Sequence, residues 1–103
     1  MATYTVTDGH VGIGAWTMTA STVDTVNFTA NIDKVRIVSD GAADVYVRLD
    51  GTDPTVPAAG ASTPALRLPA GATSVLDVPV RGGTDSVRLI SSGTPKVSVE
   101  QAL

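Results

Sequence analysis

Residues 34–53, KVRIVSDGAADVYVRLDGTD, constrain the fold more than any other stretch. Val35 and Ile37 flank Arg36, and Val45, Val47 and Leu49 alternate with Tyr46 and Arg48. Period-two alternation sends one set of side chains to a buried face and the other to solvent, which is the pattern of β-strands. Asp40-Gly41 lies between the two runs and suits the positive φ angles of a tight turn. A second Asp-Gly, Asp50-Gly51, closes the stretch. The expectation is a β-hairpin.

The same pattern recurs. Residues 87–99, VRLISSGTPKVSV, align without a gap on residues 35–47, VRIVSDGAADVYV. In the same register Val23, Val26 and Phe28 fall on Val75, Val78 and Val80, and Asp33 falls on Asp85. Arg36 and Arg88, Ser39 and Ser91, and Gly41 and Gly93 also coincide. Two readings fit: valine-rich meanders whose alternation happens to be in phase, or an internal duplication into three-strand units at 22–49 and 74–101. Both predict an all-β fold, an antiparallel β-sandwich of about seven to nine short strands. Residues 86–90 and 96–100 are expected to form its closing hairpin.

A chain of 103 residues makes one domain, spanning 1–103. It can bury roughly 60–68% of its unfolded surface, enough for one sandwich core. The absence of cysteine excludes disulfides and thiolate metal sites and fits a reducing cytoplasm. The start, MATYTVTDG, has neither the basic nor the apolar region of a signal peptide. No apolar run approaches the roughly 20 residues that span a bilayer, so a membrane is not expected as a partner. With a net charge of −3 and no basic cluster, nucleic acid is not expected either.

Along the chain, residues 2–7 read as a short first strand. Residues 10–20, HVGIGAWTMTA, read as a weak or bent strand, because Gly12 and Gly14 interrupt it. Together residues 1–20 form an irregular N-terminal arm or strand. The step from Val23 to Val26 breaks alternation and suggests a bulge near Asp24-Thr25. A turn is expected at 31–33. Residues 50–65, with three prolines and two glycines, form a long connecting loop of the kind that is usually functional or mobile. Short strands follow at 66–68 and 73–80. Pro79 lacks a ladder donor and argues for a sheet edge or bulge, and a turn follows at 81–83.

No catalytic constellation emerges. His10 is the single histidine and has no serine–aspartate companions nearby. Nine aspartates and one glutamate could form acid/base pairs, but Asp8, Asp40 and Asp50 each precede glycine, the position of turn residues. Asp44, Asp50 and Asp53 do not match the spacing of a calcium loop. The glycine pairs at 12–14 and 82–83 are not phosphate cradles. No catalytic, cofactor or metal site is expected. The large apolar residues of the arm and the long loop form the candidate partner interface instead: Tyr4, Val11, Ile13 and Trp16, with Asp53 and Val56.

The combination ADVYVRLDGTDPTVPAAG, LPAGATSVLDVPV and SVRLISSGTPKVSVE resembles small virion proteins of tailed bacteriophages that infect actinobacteria. The resemblance covers residues 33–101 and rests on turn chemistry and strand pattern. It implies a non-enzymatic head decoration, or cement, protein on the virion, assembled in the host bacterial cytoplasm. The implied partners are the major capsid protein and further copies of the chain, as a trimer. The alternative is a tail component or a carbohydrate-binding β-sandwich for host attachment, for which Trp16, Tyr4 and Tyr46 are the aromatic candidates, Tyr46 being expected on the face opposite Val45 and Val47.

Overall fold

The computed structural model describes residues 1–7, 9–29, 34–79 and 86–101. Nine strands follow in order: β1 (Thr3–Val6), β2 (Gly12–Thr17), β3 (Asp24–Phe28), β4 (Lys34–Ser39), β5 (Val45–Arg48), β6 (Leu66–Leu68), β7 (Ser74–Pro79), β8 (Ser86–Ser91) and β9 (Lys96–Gln101). There is no helix among the described residues. The strands form a five-stranded sheet ordered β1-β3-β8-β5-β6 and a four-stranded sheet ordered β2-β9-β4-β7. The expected β-sandwich is therefore present. Every ladder is antiparallel except β1–β3, which is parallel. Asp8, the expected turns at 31–33 and 81–83, the Asp33–Asp85 match and Val80 lie outside the described residues.

Both expected hairpins are absent. β4 belongs to the four-stranded sheet and β5 to the five-stranded one; β8 and β9 divide the same way. Each pair is an arch whose two strands face each other through their side chains. Val35, Ile37 and Ser39 enter the core from one sheet, and Val45 and Val47 from the other, all fully buried. Val87, Leu89 and Ser91 face Val97 and Val99 in the same way. Alternation specifies which residues point inward, and it is identical for a hairpin and an arch. The Asp-Gly signal is real, but it turns the chain from one layer to the other. Gly41 has φ 81°, and its amide donates to Ser39 Oγ at 3.3 Å, while the Asp40 amide is taken by Lys96 O at 3.0 Å. The second arch repeats the device, with the Gly93 amide donating to Ser91 Oγ at 3.2 Å.

The repeat in the sequence is also a repeat in the pairing. Shifting by 52 positions (Val35 to Val87) carries each β3–β8 pair onto a β4–β7 pair: Thr25↔Arg88 becomes Asp77↔Arg36, and Val26↔Val87 becomes Val78↔Val35. It carries β5–β8 onto β4–β9, with Val45↔Ser91 becoming Val97↔Ser39. The relation extends one strand further than expected, because Leu68↔Val45 becomes Trp16↔Val97. The repeating unit has four strands, β2–β5 and β6–β9, related by a pseudo-twofold axis. Phase alone does not fix pairing register, so internal duplication accounts for the symmetry better than coincidence. Among the described residues no ladder joins two strands of one unit.

β1 stands outside this symmetry. It pairs with the outer edge of β3, where the Thr25 amide donates to Ala2 O and the Thr29 amide to Val6 O. The irregular step before Val26 is not a bulge: β3 pairs with β8 without a shift, and its inward position is taken by Asp24, 2% exposed, instead of Val23. The bulge occurs in β2, between Ile13 and Trp16. β7 is an edge strand, as Pro79 suggested.

Candidate functional site

The long loop lies against the outer face of the five-stranded sheet. β5 and β8 place Arg48 directly opposite Arg88. Like charges at opposed positions repel, and the loop supplies a carboxylate to each: Asp50 pairs with Arg48 and Asp53 with Arg88. Pro54 is buried behind these anchors. Arg48 holds the Asp50 carboxyl below its ordinary range, with the Thr52 amide adding to the effect.

Beyond the anchored start, the loop forms one wall of an open pocket of about 480 Å³, within the size range of small-molecule sites. Its floor is Tyr46 of β5 and Arg67 of β6, which are cross-strand partners, with Asp44 beside them. Strand alternation puts them there: Val45, Val47 and Leu68 fill the core, so Tyr46 and Arg67 point outward. Pro57, Ala58, Ala59, Gly60, Ala61 and Thr63 complete the lining.

The pocket's charges are organised around Asp44. One carboxylate oxygen accepts the Ala70 amide at 2.6 Å, and the other lies 3.4 Å from Arg67 Nε. The Ala70 amide first, and Arg67 after it, hold the Asp44 carboxyl below its ordinary value of 3.8, with a smaller contribution from the Tyr46 hydroxyl. Asp44 is also fixed through its backbone, where its carbonyl accepts from buried Ser91 Oγ at 2.7 Å. The arrangement offers an ionised acceptor, a guanidinium and a phenol on one rigid surface. It contains no nucleophile paired with a base.

The residues expected at a partner interface fall into two groups. Tyr4, Ile13 and Trp16 pack against the core, with the Tyr4 and Trp16 ring centroids 4.9 Å apart. Trp16 is further tied to Asp24 by a 2.9 Å hydrogen bond from its indole Nε1. Val11 is 46% exposed, and Val56 of the loop is 38% exposed. Asp53 is engaged by Arg88. His10 bonds Thr7 on the surface. Among the described residues no three His, Cys, Asp or Glu side chains gather as a metal site, and no helix is long and apolar enough to cross a membrane. Comparison with known protein families finds no matching model, and comparison with curated proteins finds no matching relative.

Sequence reasoning singled out Tyr46 and missed Asp44 and Arg67 as its companions. They are 23 positions apart, and only the β5–β6 ladder brings them together. The one available signal was the alternation of Leu66-Arg67-Leu68, which marks Arg67 as outward-facing.

Proposed function

We propose that this chain is a non-enzymatic head decoration protein of a tailed bacteriophage. In this reading it sits on the outer surface of the virion, binds the major capsid protein lattice, self-associates as a trimer and stabilises the head. The observation that supports it most is the open side of the sandwich where β6 and β7 meet. On the pseudo-equivalent side, β1 covers the outer edge of β3 and touches β2. Among the described residues no strand covers the outer edge of β7.

The other three edges are blunted in ways that discourage further pairing. β1 has four residues and β6 three, and β2 is bulged. β7 runs for six residues in unbroken register with β4. It carries Val75, 59% exposed, and Leu66 on neighbouring β6 is 41% exposed. A free strand edge beside exposed apolar side chains suits docking on a larger protein surface. Each contact needs little affinity of its own, since many copies on one lattice act together. The resemblance over residues 33–101 supplies the partner.

Cryo-electron microscopy of the particle tests the reading. Density for the chain on the outer capsid, with β6 and β7 turned toward the lattice, is expected, together with loss of rebinding to stripped capsids for Val75→Lys. Density in the tail, or none on the virion, overturns it. A carbohydrate-binding role has an observation of its own, the place of Tyr46 in the pocket.

A further inference from the structure

The pseudo-twofold axis separates residues the fold requires from residues it does not. Required features occur twice: the inward valines, the Ser39-x-Gly41 and Ser91-x-Gly93 turns, and the opposed pairs of Leu68 with Val45 and Trp16 with Val97. The three residues at the floor of the pocket have no counterparts across the axis. The 52-position shift replaces Asp44, Tyr46 and Arg67 with Lys96, Ser98 and Ala15 on the four-stranded sheet. The four-stranded sheet keeps the same register with neither an aromatic nor a carboxylate at these three positions, its own outer carboxylates, Asp77 and Glu100, lying instead beside Arg36. The shared register therefore does not itself require these three side chains.

We infer that this pocket binds a neutral, polyhydroxylated ligand, namely a carbohydrate. Its charges decide the class. Arg67 is matched by Asp44, so no net positive field remains to hold a phosphate or sulfate. A purely apolar ligand would strip water from the ionised Asp44 carboxylate and the guanidinium without replacing their hydrogen bonds. A sugar edge offers adjacent hydroxyls that donate to the carboxylate and accept from the guanidinium. Its C–H faces match the Tyr46 ring and the small apolar wall of Ala58, Ala59 and Ala61.

The site is built in advance of any ligand. Asp44 is fixed by Ala70 and Ser91, and the root of the loop is held by two ion pairs. Pre-ordering of this kind lowers the entropy cost of binding. The pocket lies on the outward face of β6, whereas Leu66 and Leu68 occupy the opposite one. Carbohydrate binding thus stands or falls independently of the capsid role.

The test is a titration of isotopically labelled full-length protein with methyl glycosides of glucose, galactose, mannose, N-acetylglucosamine and arabinose at millimolar concentrations. At least one should shift amides confined to residues 44–46, 57–63 and 67–70. Tyr46→Ala should weaken that binding about tenfold, and Tyr46→Phe should largely retain it. Ala59→Trp, at an exposed rim position that leaves the core untouched, should block it. The inference is overturned if none of the glycosides shifts these amides, if the shifts persist undiminished in Tyr46→Ala and Ala59→Trp, or if inorganic phosphate shifts them in place of the sugars.

Discussion

The indole Nε1 of Trp16 donates a 2.9 Å hydrogen bond to Asp24, a carboxylate buried in the strand that β1 covers. The other oxygen of Asp24 accepts from the Ala2 amide at 3.1 Å. One buried acceptor thus fastens both the residue preceding β1 and the tryptophan of β2 to β3. Asp24→Ala strands two donors and should cost about 1–3 kcal/mol. Trp16→Phe keeps the ring contact with Tyr4 but leaves one carboxylate oxygen without its donor, and should cost somewhat less. Urea denaturation monitored by far-ultraviolet circular dichroism measures both. Losses under a few tenths of a kcal/mol would mean that this contact does not hold the arm.

Gly41 should be the least replaceable glycine of the first arch. A Cβ there would sit 2.3 Å from Ala72 O, at a φ of 81°. Gly51 has a similar φ of 78° with open space around it. Gly51→Ala should therefore cost about 1 kcal/mol from backbone strain alone. Gly41→Ala should cost clearly more, because backbone must also move. Thermal melting of the two variants separates strain from collision, and equal losses would contradict the close approach to Ala72.

Acid should weaken the fold from a definable point. Asp77 is lowered chiefly by Arg36, Asp50 by Arg48, and Asp44 by the Ala70 amide. Each folded-state value lies below the ordinary 3.8. Their stabilisation is then fully present above 3.8 and is lost as pH falls through the depressed values. The melting temperature should hold down to about pH 4 and decline below it, less steeply in Asp77→Asn. A decline beginning near neutrality would point to other groups.

Ile37 and Leu89 occupy equivalent central positions in β4 and β8, and both are fully buried. Each alanine variant should lose about 2–5 kcal/mol. The two losses should be similar if the pseudo-twofold axis extends to energetics. A large disparity in denaturant midpoints would show that one arch dominates the core.

Cutting the chain within residues 57–61 should yield two pieces that do not fold alone and reassemble when mixed. All ladders of β2 to β5 run to strands of the other unit, apart from the β1–β3 pair. Circular dichroism of each piece and of the mixture tests this, and an independently folded first piece would refute it.

Strand positions were legible in the sequence because alternation, glycine and proline act locally. Val35, Ile37, Val45 and Val47 were correctly marked as inward-facing. Their assignment to different sheets was not legible, since a side chain's face says nothing about which strand lies beside it. Asp24 was overlooked because an aspartate in an inward slot breaks the apolar pattern, and its justification, Trp16, lies eight residues away. The pocket was legible only as Tyr46. Asp44 and Arg67 become its companions through a ladder whose register no local signal records.

The interlocking of the two units also bears on synthesis. A ribosome adds roughly 5–20 residues per second, so β2 to β5 emerge seconds before the strands they need. During that interval the strands carrying Val35, Ile37, Val45 and Val47 have none of the ladder partners that the fold gives them. The nascent first half is an adhesive, strand-prone chain in which, among the described residues, only the short ladder between β1 and β3 is complete. Its safe passage depends on the second half following promptly, or on a chaperone holding the first half until it does.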